Sequence, residues 1–123
     1  MNKTGRIFRT PVYKADLRKI YAQSLRRFGE KVADETMRQI HAVEQSALSD
    51  SSYGKIDKEH HSKIFRYKTI RNSQTLFFHA IGDDIVMITA GYCSRDWSAI
   101  LGKMEEEILH IVKNITAKKQ EFL

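Results

Sequence analysis

The 123 residues hold one cysteine, one proline, no glycine-rich loop and no long apolar run. A lone Cys93 cannot close a disulfide within the chain, and it reads as a small residue at a strand end. No apolar stretch approaches the roughly 18 residues that a membrane helix requires. The basic start, Met1 to Thr10, lacks the apolar centre of an export signal. A cytoplasmic location without a membrane partner is therefore expected. The six glycines are scattered, so no loop cradles phosphates and nucleotide hydrolysis is not expected. No Cys or His spacing suits a metal ion, and neither a metal nor another cofactor is expected. Pro11 lacks a backbone donor, which places a short strand, Ile7 to Tyr13, at a sheet edge or ends it near Pro11. No internal repeat, low-complexity tract or linker divides the chain. Its length suits a single domain over residues 1–123.

What is present is a globular composition, 41% apolar and 29% charged, with charge unevenly placed. Residues 1–28 carry Lys3, Arg6, Arg9, Lys14, Arg18, Lys19, Arg26 and Arg27 against Asp16 alone, a net +7. The remainder nets −1. A second stripe, Lys63, Arg66, Lys68 and Arg71, contains no acid. Such basic surfaces bind nucleic acid or an acidic protein partner.

Periodicity supplies the elements. Leu17, Ile20, Tyr21, Leu25 and Phe28 fall along one side of a helix over Ala15 to Phe28, with Asp16 in its first turn and Arg26 and Arg27 in its last, as the helix dipole prefers. Gly29 breaks it. A second helix over Glu30 to Leu48 presents Val32, Ala33, Thr36, Met37, Ile40, Val43 and Ala47, so the two should fold back as a hairpin. Ser49 to Ser62 reads as a loop. Strands are expected at Ile64 to Arg71, Gln74 to Ile81 and Ile85 to Ala90, separated by Asn72-Ser73 and Gly82-Asp83-Asp84. Ile100, Leu101, Met104, Ile108, Ile111, Val112 and Ile115 form a last helical stripe, about residues 98–116, capped by Asp96 or Ser98. The class is α+β: an antiparallel sheet packed by an N-terminal helical hairpin, in the order β-α-α-β-β-β-α. The last stripe either covers the sheet or joins another subunit.

One run carries more than its periodicity. Thr89-Ala90-Gly91-Tyr92-Cys93-Ser94-Arg95-Asp96-Trp97 leads a buried strand through an Arg-Asp-Trp turn into a helix. It resembles the closing signature of the ParE/RelE toxins of type II toxin–antitoxin pairs, with Tyr92 where the ParE branch usually places a His. Ala15-Asp16-Leu17-x-x-Ile20 is similar to that family's first-helix opening. Phe28-Gly29-Glu30-x-x-Ala33 resembles its inter-helix turn. Phe77-Phe78 and Gly82-Asp83-Asp84-Ile85 resemble its middle strand and following hairpin. The likeness spans residues 7–101, the expected core.

The resemblance implies a toxin neutralised by a cognate antitoxin, in a hetero-oligomer or alongside self-association. RelE-like members cut messenger RNA on the ribosome, and characterised ParE-like members poison DNA gyrase. This chain has Cys93, Ala99 and Thr75 near positions where RelE-like nucleases carry an arginine, a tyrosine and an arginine. The ParE branch, with a protein target such as gyrase and no bond-breaking chemistry of its own, is therefore expected. A ribosome-dependent endoribonuclease using Arg66, Arg71, Arg95 and His60 or His61 is the alternative, and a non-toxic antitoxin-binding module is the third reading. Target contacts are expected from Arg66, Arg71, Tyr92, Arg95 and Trp97. Antitoxin contacts are expected from Leu17, Ile20, Tyr21, Arg18, Arg26 and Arg27, a basic and apolar face suited to an acidic amphipathic peptide. Trp97 also suits packing, and Asp96 a cap. His60 and His61 point to opposite sides of an extended chain. His79 reads as a core residue, and His41 and His110 sit on helices without an obvious partner.

Overall fold

The computed structural model describes residues 5–50, 52–56, 65–70, 74–92, 95 and 97–121. Its elements are β1 (Ile7–Arg9), α1 (Pro11–Phe28), α2 (Glu30–Ser49), β2 (Lys55–Ile56), β3 (Arg66–Thr69), β4 (Gln74–Ile81), β5 (Asp84–Tyr92) and α3 (Trp97–Glu121). The five strands form one sheet in the order β1-β5-β4-β3-β2. The expected α+β class holds, with two departures. β2 lies inside the segment expected to be a loop, paired antiparallel with β3. The sheet is mixed: β1 runs parallel to β5, with Ile7 opposite Ile85 and Arg9 opposite Met87. A parallel pair requires a long crossover, which the hairpin and the remaining strands provide.

Pro11 does not end a strand; it opens α1. Its missing donor costs nothing in the first helical turn, and Thr10 caps the helix by accepting the Tyr13 N–H at 3.0 Å. The helix thus begins four residues before the expected Ala15, and Asp16 lies beyond its first turn. At the hairpin corner Gly29 has φ 91°, a conformation that glycine adopts without strain. The turn Gly82-Asp83 joins β4 to β5 with Gly82 at φ 58°. Asp84, expected in that turn, is instead a fully buried strand residue whose Oδ1 accepts the Arg6 N–H at 2.8 Å.

Strand alternation sends neighbours to opposite faces. Leu76, Phe78, Ile85 and Met87 pack with Tyr13, Ile20, Ile40, Val43 and Ala47 of the hairpin. Phe77, Val86 and Ile88 pack with Phe65 and with Trp97 and Leu101 of α3. The first part of the last helical stripe therefore covers the sheet. Farther along α3, Leu109 is exposed, while Ile111 lines a groove with Ile7, Phe8 and Val86 beside β1.

A charged cluster sits under the hairpin. Glu44, 3% exposed, takes both Arg9 Nε and Nη2, at 3.0 and 2.8 Å, and the Tyr13 hydroxyl at 2.7 Å. His41 approaches it at 3.8 Å. Burial, then the adjacent Glu44 charge and the hydrogen bond to it, push the Tyr13 hydroxyl well above the usual phenol range. An unfolded chain loses this proton near pH 10; the folded one keeps it. The stabilisation is therefore complete below about pH 10 and falls as pH rises beyond it, by about 1.4 kcal/mol per pH unit until the folded group titrates. Tyr13→Phe should be less stable at neutral pH by about 1.5–3 kcal/mol, the worth of a hydrogen bond to a charged group. Urea melts from pH 8 to 11 should show its deficit shrinking above pH 10.

Candidate functional site

The end of β5 is shaped by its bond to α1. Phe77 pairs with Thr89 but Phe78 with Met87, so Ile88 is an extra residue in β5. Such a bulge leaves ladder groups unpaired, and α1 supplies the partners. Thr10 Oγ1 donates to the Ile88 carbonyl at 2.7 Å. Asp16 Oδ2 accepts the Thr89 hydroxyl at 2.6 Å and the Ala90 N–H at 3.1 Å. Asp16 is a buried clamp between helix and strand, which fixes how the helix's next turns stand over the strand end.

Past Tyr92, Arg95 N–H donates to the Tyr92 carbonyl and Trp97 N–H to the Arg95 carbonyl. Trp97 starts α3 and is 2% exposed, its ring 4.8 Å from that of Phe77. Its indole N–H has no hydrogen-bond partner among the described residues. Arg95 is exposed and stacks over the Trp97 ring at 5.3 Å. A side chain on Gly91 would meet Arg95 Nη1 at 3.0 Å and Trp97 at 3.3 Å, so the absent side chain lets the guanidinium lie along the strand. Arg27, at the end of α1, donates to the Tyr92 hydroxyl at 3.3 Å.

Between α1 and this strand end lies a cleft of about 280 Å³ lined by Asp16, Lys19, Ile20, Gln23, Gln74, Ala90, Gly91, Tyr92 and Arg95. Lys19 and Arg95 are exposed cations on opposite walls. Gln74, opposite Tyr92 in the sheet, is 2% exposed, and its Oε1 has no hydrogen-bond partner among the described residues.

Tyr92, Arg95 and Trp97 are thus brought together, with Trp97 as a buried support for Arg95. Arg66 is not with them. It pairs with Phe78, and its guanidinium donates to the Ser52 and Gly54 carbonyls at 3.3 and 3.2 Å, tying β3 to the chain that enters β2. Arg71, His60, His61, Cys93 and Asp96 lie outside the described residues. Of the face on α1, Arg18, Arg26 and Arg27 are exposed, Leu17 and Tyr21 half-buried, and Ile20 4% exposed within the core. Arg27 joins the two expected surfaces through Tyr92. His41 stands beside Glu44, and half-buried His79 packs edge-on to Phe65; neither lines the cleft.

Sequence reading did not single out Lys19, Gln23 or Gln74 as site residues. Gln74 did carry a signal: an amide opening an otherwise apolar strand has to find partners or a ligand. A second concavity, of about 400 Å³, lies at the hairpin corner, with Phe28 and Val32 among Lys31, Glu35, Arg38 and Gln39. Phe28 is 51% exposed, with Arg27 over its ring. The whole surface offers cations, aromatic faces and shallow apolar hollows, the equipment of a docking site.

No family profile matches the chain, and no curated protein matches it significantly. Among solved structures it is similar to a chromosomal ParDE toxin–antitoxin system protein from P. aeruginosa, at 16% identity and a TM-score of 0.60, over 74% of this chain and 98% of that one. A conserved hypothetical protein from Helicobacter pylori is also matched, at 18% identity and a TM-score of 0.47, over 75% of this chain and 98% of that one. The chain shares its fold with the ParDE system protein, in keeping with the α+β class expected from the sequence. Among the described residues no helix is long and apolar enough to cross a membrane.

Proposed function

We propose that this protein is the toxin of a type II toxin–antitoxin pair, held inactive by a cognate antitoxin on the basic face of α1 and acting on a protein target through the strand-end platform. DNA gyrase is the target class that the ParE-like signature favours. The observation that carries the reading is the placement of Arg95 over Trp97, beside Tyr92 and Arg27, on a fold shared with a ParDE system protein. Arg95 and Tyr92 contact the target, and Trp97 holds Arg95 in place. Arg18, Arg26 and Arg27, with the half-buried edges of Leu17 and Tyr21, receive the antitoxin. Ile20 serves the core and gives one wall of the cleft. Arg71 is kept among the target contacts on its place in the sequence. Arg66 contributes by shaping the β2–β3 end.

An RNA-cutting site has to present a proton acceptor, a proton donor and cations around one phosphate. The cleft presents two cations, a buried carboxylate already accepting two hydrogen bonds, the Tyr92 hydroxyl with Arg27 donating to it, and neutral amides, with no second titratable group free to act as its proton partner among the described lining residues. That composition suits docking better than phosphoryl transfer.

The test is regulated expression of the chain with and without the short acidic reading frame expected beside its gene. Growth should stop with the chain alone and recover with both. Purified chain should trap cleaved DNA in a gyrase assay, and Arg95→Ala should reduce trapping at least tenfold. Efficient cutting of ribosome-bound transcripts by purified chain would overturn the target assignment. Unimpaired growth would overturn the toxin reading in favour of an antitoxin-binding module.

A further inference from the structure

We propose that the cleft between α1 and the end of β5 seats one acidic residue of a partner peptide, its carboxylate on Lys19 and Arg95 and its backbone N–H on Gln74. The inference rests on the reading of this surface as a docking site and names the chemistry that docks there.

Three observations converge. The first is electrostatic: Lys19 reaches the cleft from α1 and Arg95 from beyond β5, while residues 1–28 net +7. The Arg95 guanidinium is held against Gly91 and the Trp97 ring. It therefore surrenders little freedom when it binds a carboxylate, which its planar fork suits.

The second is the unmet acceptor. Gln74 lines the cleft, and its buried Oε1 has no partner among the described residues. A buried acceptor of this kind costs free energy until a donor arrives. A bare carboxylate has no donor to give. A peptide residue has its own N–H beside its acidic side chain, so one residue satisfies both ends of the site.

The third is exclusion. Asp16, 8% exposed, also lines the cleft, its Oδ2 occupied by Thr89 and Ala90. Its charge opposes a multivalent anion more than a single carboxylate. About 280 Å³ lies just below the roughly 300–1,000 Å³ of pockets that enclose drug-sized ligands. It admits a residue and its flanking peptide groups, and it is far too small to enclose a helix about 10 Å across.

The experiment is an NMR titration of the full, isotope-labelled chain with N-acetyl-glutamate N-methylamide. Parallel titrations use the glutamine analogue, sodium acetate and inorganic phosphate. The glutamate probe should shift the Gln74 side-chain amide and the Ala90 and Gly91 backbone amides, with millimolar dissociation. The glutamine analogue and acetate should each bind at least tenfold more weakly. Lys19→Ala and Arg95→Ala, both at exposed side chains, should each weaken the glutamate probe about tenfold while leaving the rest of the spectrum in place. Gln74→Leu should abolish the preference over acetate if it folds; the two exposed variants carry the test if it does not. Equal binding of the glutamine analogue, tighter binding of phosphate, or shifts confined to another surface would overturn the proposal. A chain that arrests growth but ignores the probe would sink this inference alone. One that binds the probe without arresting growth would sink the toxin reading and leave this site standing.

Discussion

Glu44→Ala is expected to lower stability by about 3 kcal/mol, the low end of the cost of stripping one partner from a buried ion pair. For a chain of this size that is a fall in melting temperature on the order of 10 °C. Glu44 lies between two groups with different escape routes. Arg9 keeps 36% of its side chain exposed, so its guanidinium can turn to water. The Tyr13 hydroxyl, on a residue with 0% exposure, cannot. The loss thus falls mostly on Tyr13, and a Glu44→Ala/Tyr13→Phe pair should be less harmful than the sum of its parts. Glu44→Gln keeps an acceptor for Tyr13 and should lose roughly half as much. Thermal melts of the four proteins check the ordering. Equal costs for Ala and Gln would mean that the charge alone matters.

The second large effect is at Trp97. Trp97→Ala removes a ring that spans α3 and Phe77 in the second core and should cost about 3–5 kcal/mol. It also removes the surface under Arg95, so any activity of the platform should fall further than instability alone explains. Trp97→Phe separates the two contributions. It preserves much of the apolar contact and deletes an indole N–H that is buried without a partner among the described residues, so about 1–3 kcal/mol of unmet desolvation is returned. Chemical denaturation should find Trp97→Phe within about 1.5 kcal/mol of the parent, because the returned desolvation offsets much of the cost of the cavity left by the smaller ring. A much larger deficit would show that the indole N–H has a partner in the assembled protein.

Much of this fold was legible from periodicity. The bounds of β4, the hairpin and its glycine corner, and the buried character of β5 follow from apolar spacing and turn residues. What escaped depends on partners distant along the chain. Pro11 was read as a strand stop because it lacks a donor, yet the same lack suits a helix start once Thr10 caps it. Asp16 was read through the helix dipole; its actual partners, Thr89 and Ala90, lie more than seventy residues away. Glu44 offered a local clue, since it follows Ile40 by one turn on a face that also holds Val43 and Ala47. A carboxylate there has to be paired. The parallel pairing of β1 had no local signal at all.

The candidate site was legible in part. The Arg-x-Trp run after β5 drew attention to both residues, but not to the stacking of the Arg95 guanidinium over the Trp97 ring. The spread of basic residues did not reveal that Arg66 is occupied by the Ser52 and Gly54 carbonyls, because those carbonyls belong to a segment without a periodic pattern. Lys19 and Gln74 are united by the sheet and by α1 alone.

The pairing of the first strand with the fifth has a consequence for biosynthesis. The Arg6 carbonyl waits for the Ile85 N–H, and the Arg6 N–H for Asp84, 78 residues later, so β1 has no neighbouring strand until β5 has been made. Contacts this distant in sequence form late and slowly. A fragment released by premature termination before residue 84 lacks both the seat for the helical hairpin and the turn that carries Arg95. Such fragments should therefore be open to proteolysis, whereas a chain that includes β5 should resist it.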